Sequence, residues 1–163
     1  MSIEVETAPR RGESDGQPVT IVVGYDGSDE AREALAVATE RAGPDGTVVV
    51  AHARPSPARW LDTSRYDHAV AEYHRAGSEV LATVPDSEPD GPTIETQLID
   101  GAPAEALIRE AKFHGAREIV VGARGLGRVR SAFGSVSQQL TREADRPVVV
   151  VPRRAVMAAR PAA

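Results

Sequence analysis

The chain has 163 residues, no cysteine and a formal net charge of −5 at pH 7. That length suits one domain with an ordinary core, and the missing cysteines exclude a disulfide framework and thiolate zinc sites. The acidic balance excludes a general nucleic-acid binder, which needs a basic face to neutralise phosphates.

Residues 1–18 are polar, with Pro, Gly and Glu scattered among them, and read as a disordered tail. They lack the apolar core of a signal peptide, and no run of about 18 apolar residues follows, so a cytoplasmic protein without a membrane span is expected. A single domain over 19–153 and a loose tail over 154–163 complete the expected organisation.

"VTIVVGYD", Val19 to Asp26, is a short β-branched run suited to a strand buried on both faces. Gly27 then makes a turn and Ser28 caps a helix whose first turn carries Asp29 and Glu30, where the helix dipole favours acids. This helix runs to about Ala42. "GTVVVAHA", Gly46 to Ala53, is the second strand. From Trp60 to Val84 apolar residues recur at helical spacing, with Tyr73 in the core and Pro85 as the stop. "TIETQLI", Thr93 to Ile99, alternates as a third strand.

Pro103 sits at the first turn of a third helix ending near His114 and Gly115. "REIVVG", Arg117 to Gly122, is the fourth strand, a fourth helix starts at Ser135, and "RPVVVVP", Arg146 to Pro152, is the fifth strand. Alternating strands and helices predict an α/β fold with a parallel sheet covered on both faces.

The connection from Gly122 to Gly134 carries four glycines, three arginines and no carboxylate, and is far longer than the roughly 2–6 residues usual between strand and helix. Gly122, Gly125 and Gly127 suit a backbone that turns its N–H groups around oxygen atoms. Ser135 with Gln138 forms a candidate capping box at the helix start, where unpaired N–H groups attract an anion and Gly134 leaves room. Arg124, Arg128 and Arg130 supply charge-assisted donors. Asp26 occupies the matching place at the end of strand one. A carboxylate there makes sense for a ribose hydroxyl, an adenine amine or Mg²⁺ beside the phosphate, and so for a nucleotide.

Each feature also has a plainer explanation. Ser135 as a cap stabilises a helix by roughly 1 kcal/mol without any ligand, Asp26-Gly27 is a common turn, and loop arginines are usually solvated. The arrangement at two strand ends that one cleft joins is what favours a site. His52, His68, His74 and His114 show no metal spacing and are assigned to packing or surface. A Walker A loop is absent for want of Gly-Lys, G-x-G-x-x-G fails at Arg130, and the lysine of a receiver domain is replaced near Pro152 and Arg153.

On "VVGYDGSDEAREAL", "VVVAHA", "DGAPAEALIREA", "IVVGARGLG", "GSVSQQL" and "RPVVVVP", the chain resembles the universal stress protein family from about Val19 to Pro152. The resemblance implies a five-stranded parallel sheet in the order 3-2-1-4-5, a Rossmann-like fold of the adenine nucleotide alpha hydrolase type. It implies ATP, with or without Mg²⁺, its base near Asp26 and Ala53 and its phosphates at Gly122, Arg124, Gly125, Gly134, Ser135 and Val136. The family signature places nine residues between its second and third glycines, whereas this chain has eight between Gly125 and Gly134. The implied role is an ATP-binding stress regulator with an unidentified protein partner and no catalysis beyond slow ATP hydrolysis; a nucleotide-independent dimeric adaptor is the alternative. Strand five, Pro147 to Val151, reads as an apolar sheet edge that a second copy would cover, so a homodimer is expected.

Overall fold

The computed structural model describes residues 18–55, 57, 63–124 and 134–152. Both expected tails fall outside this range except for Pro18, as do Trp60, Gly125, Gly127, Arg128 and Arg130. Nine elements alternate among the described residues: β1 (Thr20–Gly24), α1 (Asp29–Ala42), β2 (Thr47–Arg54), α2 (Thr63–Leu81), β3 (Thr93–Asp100), α3 (Pro103–Phe113), β4 (Glu118–Gly122), α4 (Ser135–Glu143) and β5 (Val148–Val151). The sheet is parallel in the order β3-β2-β1-β4-β5, as the resemblance implies.

The apolar runs of β1 and β4 form the centre of the sheet because they have no polar face to expose: Ile21, Val22, Val23, Ile119 and Val120 are fully buried. Alternate residues point to opposite faces. Ile21 and Val23 pack with Ala31, Ala34, Leu35 and Ala38 of α1, and Val80 of α2 joins that layer. Val22 and Val49 pack with Ala104, Leu107 and Ala111 of α3 and with Leu140 of α4. Each Val, Leu or Ile so enclosed contributes roughly 1.5–3 kcal/mol of transfer free energy.

The helix ends follow local chemistry. Ser28 accepts a hydrogen bond from the Ala31 N–H (3.1 Å) and caps α1, while Pro103 occupies the first turn of α3, where a missing N–H costs nothing. α2 stops at Leu81, three residues before the expected Val84. The Thr83 hydroxyl donates to the Val80 carbonyl, and tighter bonds from the Thr83 and Val84 N–H groups to Val80 and Leu81 replace the helical ladder ahead of Pro85.

At the amino end of the sheet, Arg41 of α1 forks onto Glu118, with Nε and one terminal nitrogen each 2.7 Å from a carboxylate oxygen. Only 4% of the Glu118 side chain is exposed, and the hydrogen-bonded guanidinium holds its carboxyl below the usual value. Arg146 donates to the carbonyls of Ala111 and Ala116 (2.7 and 2.6 Å), tying β5's approach to the end of α3.

Candidate functional site

β1 and β4 lie side by side, with Gly24 opposite Val121, yet the chain leaves them for opposite faces of the sheet: β1 leads into α1 and β4 into α4. Diverging connections open a crevice beyond the carboxyl ends of the strands, the usual ligand position in such sheets. A cleft of about 310 Å³ opens there. Asp26, Ala53, Gly122, Arg124, Gly134, Ser135 and Val136, predicted from far-apart segments, all line it. The other two predicted residues, Gly125 and Gly127, lie outside the described residues.

Asp26 is half-buried, and its Oδ1 accepts from the Ser28 N–H (3.0 Å). Gly27 between them has φ +80°, a conformation that strains other residues. The turn explanation therefore holds, and the same bond that folds the turn fixes the carboxylate at the cleft.

Two expectations need correction. Ser135 does not cap α4, and the capping box with Gln138 is not formed: Gly134 is the N-cap and Ser135 is the first helical residue. The Gly134 N–H is bound to the Ala123 carbonyl (2.6 Å) while its own carbonyl accepts the Gln138 N–H (3.0 Å), so the helix begins one residue earlier than the cap reading requires. The Ser135 side chain is exposed at the cleft instead. Gly122 lines the cleft as expected but has no positive φ, and it also makes room for α1: a Cβ there would lie 2.8 Å from the Glu30 Cβ and 2.9 Å from its carbonyl carbon.

Ser137 was missed. It is buried, with its Oγ 3.0 Å from the carbonyl oxygens of both Ala123 and Gly134, and so pins the start of α4 to the end of β4. Its position three residues before the core Leu140 was the available signal, since i and i+3 share a helix face. Ser135 and Val136 open α4, so the positive end of the helix lies at the cleft that both residues line. Pro103 and Leu107 of α3 add an apolar wall. His52, assigned above to packing, also lines the cleft, with Nδ1 2.8 Å from the Tyr25 carbonyl oxygen.

The cleft thus has a carboxylate at one end, helix N–H groups and Arg124 at the other, and apolar walls between. Among the described residues no group of three or more His, Asp or Glu is placed to hold a metal, and no helix is long and apolar enough to cross a membrane.

Comparison with known proteins gives concordant matches. The family model described as universal stress protein family matches residues 19–152. A Thermus aquaticus protein named universal stress protein in QAH/OAS sulfhydrylase 3′ region is 38% identical over 140 residues, covering 81% of this chain and 97% of that one. Among solved structures, a universal stress protein in complex with cAMP is 26% identical, with TM-score 0.56 and coverage of 82% of this chain and 96% of that one. The universal stress protein from Archaeoglobus fulgidus in complex with dAMP, 24% identical with TM-score 0.54 and coverage of 83% and 98%, shares the fold.

Proposed function

The chain belongs to the universal stress protein family, and from that premise we propose that it is an ATP-binding stress-response regulator whose bound nucleotide alters the surface offered to a protein partner. The observation that carries this reading is the polarity of the cleft: an acceptor at Asp26, apolar walls at Ala53 and Leu107, and helix N–H groups at Ser135 and Val136. A nucleotide has the same polarity, with hydroxyls and an amine, a flat apolar base, and phosphates. The related protein in complex with cAMP supports the ligand class.

Mg²⁺ would enter with the phosphates, held through their oxygens. The reading is of binding rather than turnover. Lys112, the chain's one lysine, lies at the far end of α3, 3.6 Å from Asp145, and so supplies no charge to a transferring phosphoryl group. A homodimer through β5 accompanies the proposal, because Val148, Val149 and Val150 lie on the sheet's outer strand and are only partly covered.

Denaturing the purified protein and analysing the supernatant for adenine nucleotide, followed by ATP calorimetry with and without Mg²⁺, tests the reading. Micromolar affinity, roughly −8 kcal/mol, is expected. Absence of both copurified and titratable nucleotide would overturn it. Turnover above roughly 1 per second would instead make the protein an enzyme.

The eight-residue spacing between Gly125 and Gly134 favours a second reading, a nucleotide-independent dimeric adaptor. On that reading, inserting one residue between them creates ATP binding that the natural chain lacks.

A further inference from the structure

β2 outruns β1. The last pair between them is Gly24 with Ala51, so His52, Ala53 and Arg54 continue past the end of β1, and His52 and Ala53 line the cleft. The ladder does not simply stop there: the Tyr25 N–H donates to the Ala51 carbonyl (2.9 Å), and the His52 ring reaches back to the Tyr25 carbonyl through Nδ1 (2.8 Å).

That contact settles the tautomer. A carbonyl oxygen has no proton to give, so Nδ1 must carry one, and the neutral ring then holds its lone pair on Nε2. No described residue partners Nε2, and the ring is only half-buried beside the cleft. Arg54, two residues further on the same strand, turns its guanidinium onto Tyr73, 5.1 Å above the ring, and donates to the Tyr73 carbonyl (3.3 Å). The β2 side of the cleft therefore presents an acceptor, the His52 Nε2.

Resting on the nucleotide reading above, we infer that His52 is a specificity-determining residue whose Nε2 accepts a hydrogen bond from the nucleoside. Two groups of a nucleoside carry the required donor, a ribose hydroxyl and the exocyclic amine of adenine. Phosphate carries none, so His52 discriminates among nucleosides and is indifferent to the length of the phosphate chain.

The test exploits side-chain geometry. In His52→Asn the amide nitrogen can take the place of Nδ1 and keep the clamp on Tyr25, but nothing occupies the place of Nε2. Calorimetry would compare ATP, 2′-deoxy-ATP, 3′-deoxy-ATP and inosine triphosphate on the natural protein and on this variant. Loss of one neutral hydrogen bond predicts that ATP binds about 3- to 10-fold more weakly to His52→Asn. One of the analogues should show a similar loss on the natural protein, and that loss should disappear in the variant. A loss with either deoxy analogue identifies that ribose hydroxyl as the donor, and a loss with inosine triphosphate identifies the amine.

Unchanged ATP affinity in a folded His52→Asn variant overturns the inference and leaves the nucleotide reading standing; no binding of ATP by the natural protein overturns both. Should the variant not fold, ¹⁵N spectra of the imidazoles in the natural protein decide. The Nε2 resonance of His52 moves on adding ATP, and its failure to move sinks the inference.

Discussion

At its amino end the sheet is closed by charge, with Arg41 forked onto a buried Glu118 and Arg146 bound to the carbonyls of Ala111 at the end of α3 and Ala116 in the turn after it. At its carboxyl end the same sheet is open, and small residues stand where the other end has long side chains: Gly24, Ala53, Gly122 and Gly134 line the cleft. The difference teaches how one scaffold separates stability from binding. At the amino end long side chains pair with one another and with backbone carbonyls; at the carboxyl end small residues leave a cleft of about 310 Å³.

The comparison breaks most severely at Gly122. Gly122→Val would push a side chain into Glu30 at the start of α1, at an overpacking cost of about 3 kcal/mol, and should also abolish ATP binding. Urea unfolding and calorimetry read the two losses together. At the opposite end Arg41→Ala should cost about 2 kcal/mol by stranding the Glu118 carboxylate, partly offset by Arg117 at 3.7 Å. ATP affinity should stay within twofold of the natural protein's, by the stated separation of the two ends. A fall in affinity matching the fall in stability would mean the ends are not separate.

Smaller in effect is Ser28→Ala, which removes the α1 cap for about 1 kcal/mol and loosens the turn holding Asp26. It should therefore weaken ATP binding as well as lower the melting temperature. Smallest is the pH dependence. Because Arg41 depresses the folded-state pKa of Glu118, the pair's stabilisation is present above the carboxyl's usual value of 4.5 and is lost as pH falls through the lower folded value. Melting curves in that acid range should fall more steeply for the natural protein than for Arg41→Ala; parallel curves would show that the pair contributes nothing.

Much of this was legible beforehand because it is local. The β-branched runs at Ile21 to Val23 and Val48 to Val50 specify strands, and the Asp-Gly-Ser turn specifies the start of α1. The seven predicted site residues that the structure describes share one cleft because alternating strands and helices leave few topologies to choose among. Ser135 was misread because capping depends on which residue's N–H is already bound: Ala123, eleven residues before Gly134, holds that glycine extended and makes it the cap. The close approach of Glu30 to Gly122 was not legible because Glu30 lies far away in the chain.

The sequence by itself determined the order of elements, the two-faced core and the segments that meet at the site, since periodicity and turn chemistry act over a few residues. Only the tertiary structure decided which small residue makes room for a neighbouring helix, which residue caps α4 and which serine is buried there, and which nitrogen of His52 faces the Tyr25 carbonyl. Each of those depends on an atom brought close by the fold from a distant part of the chain, and no local pattern encodes that proximity.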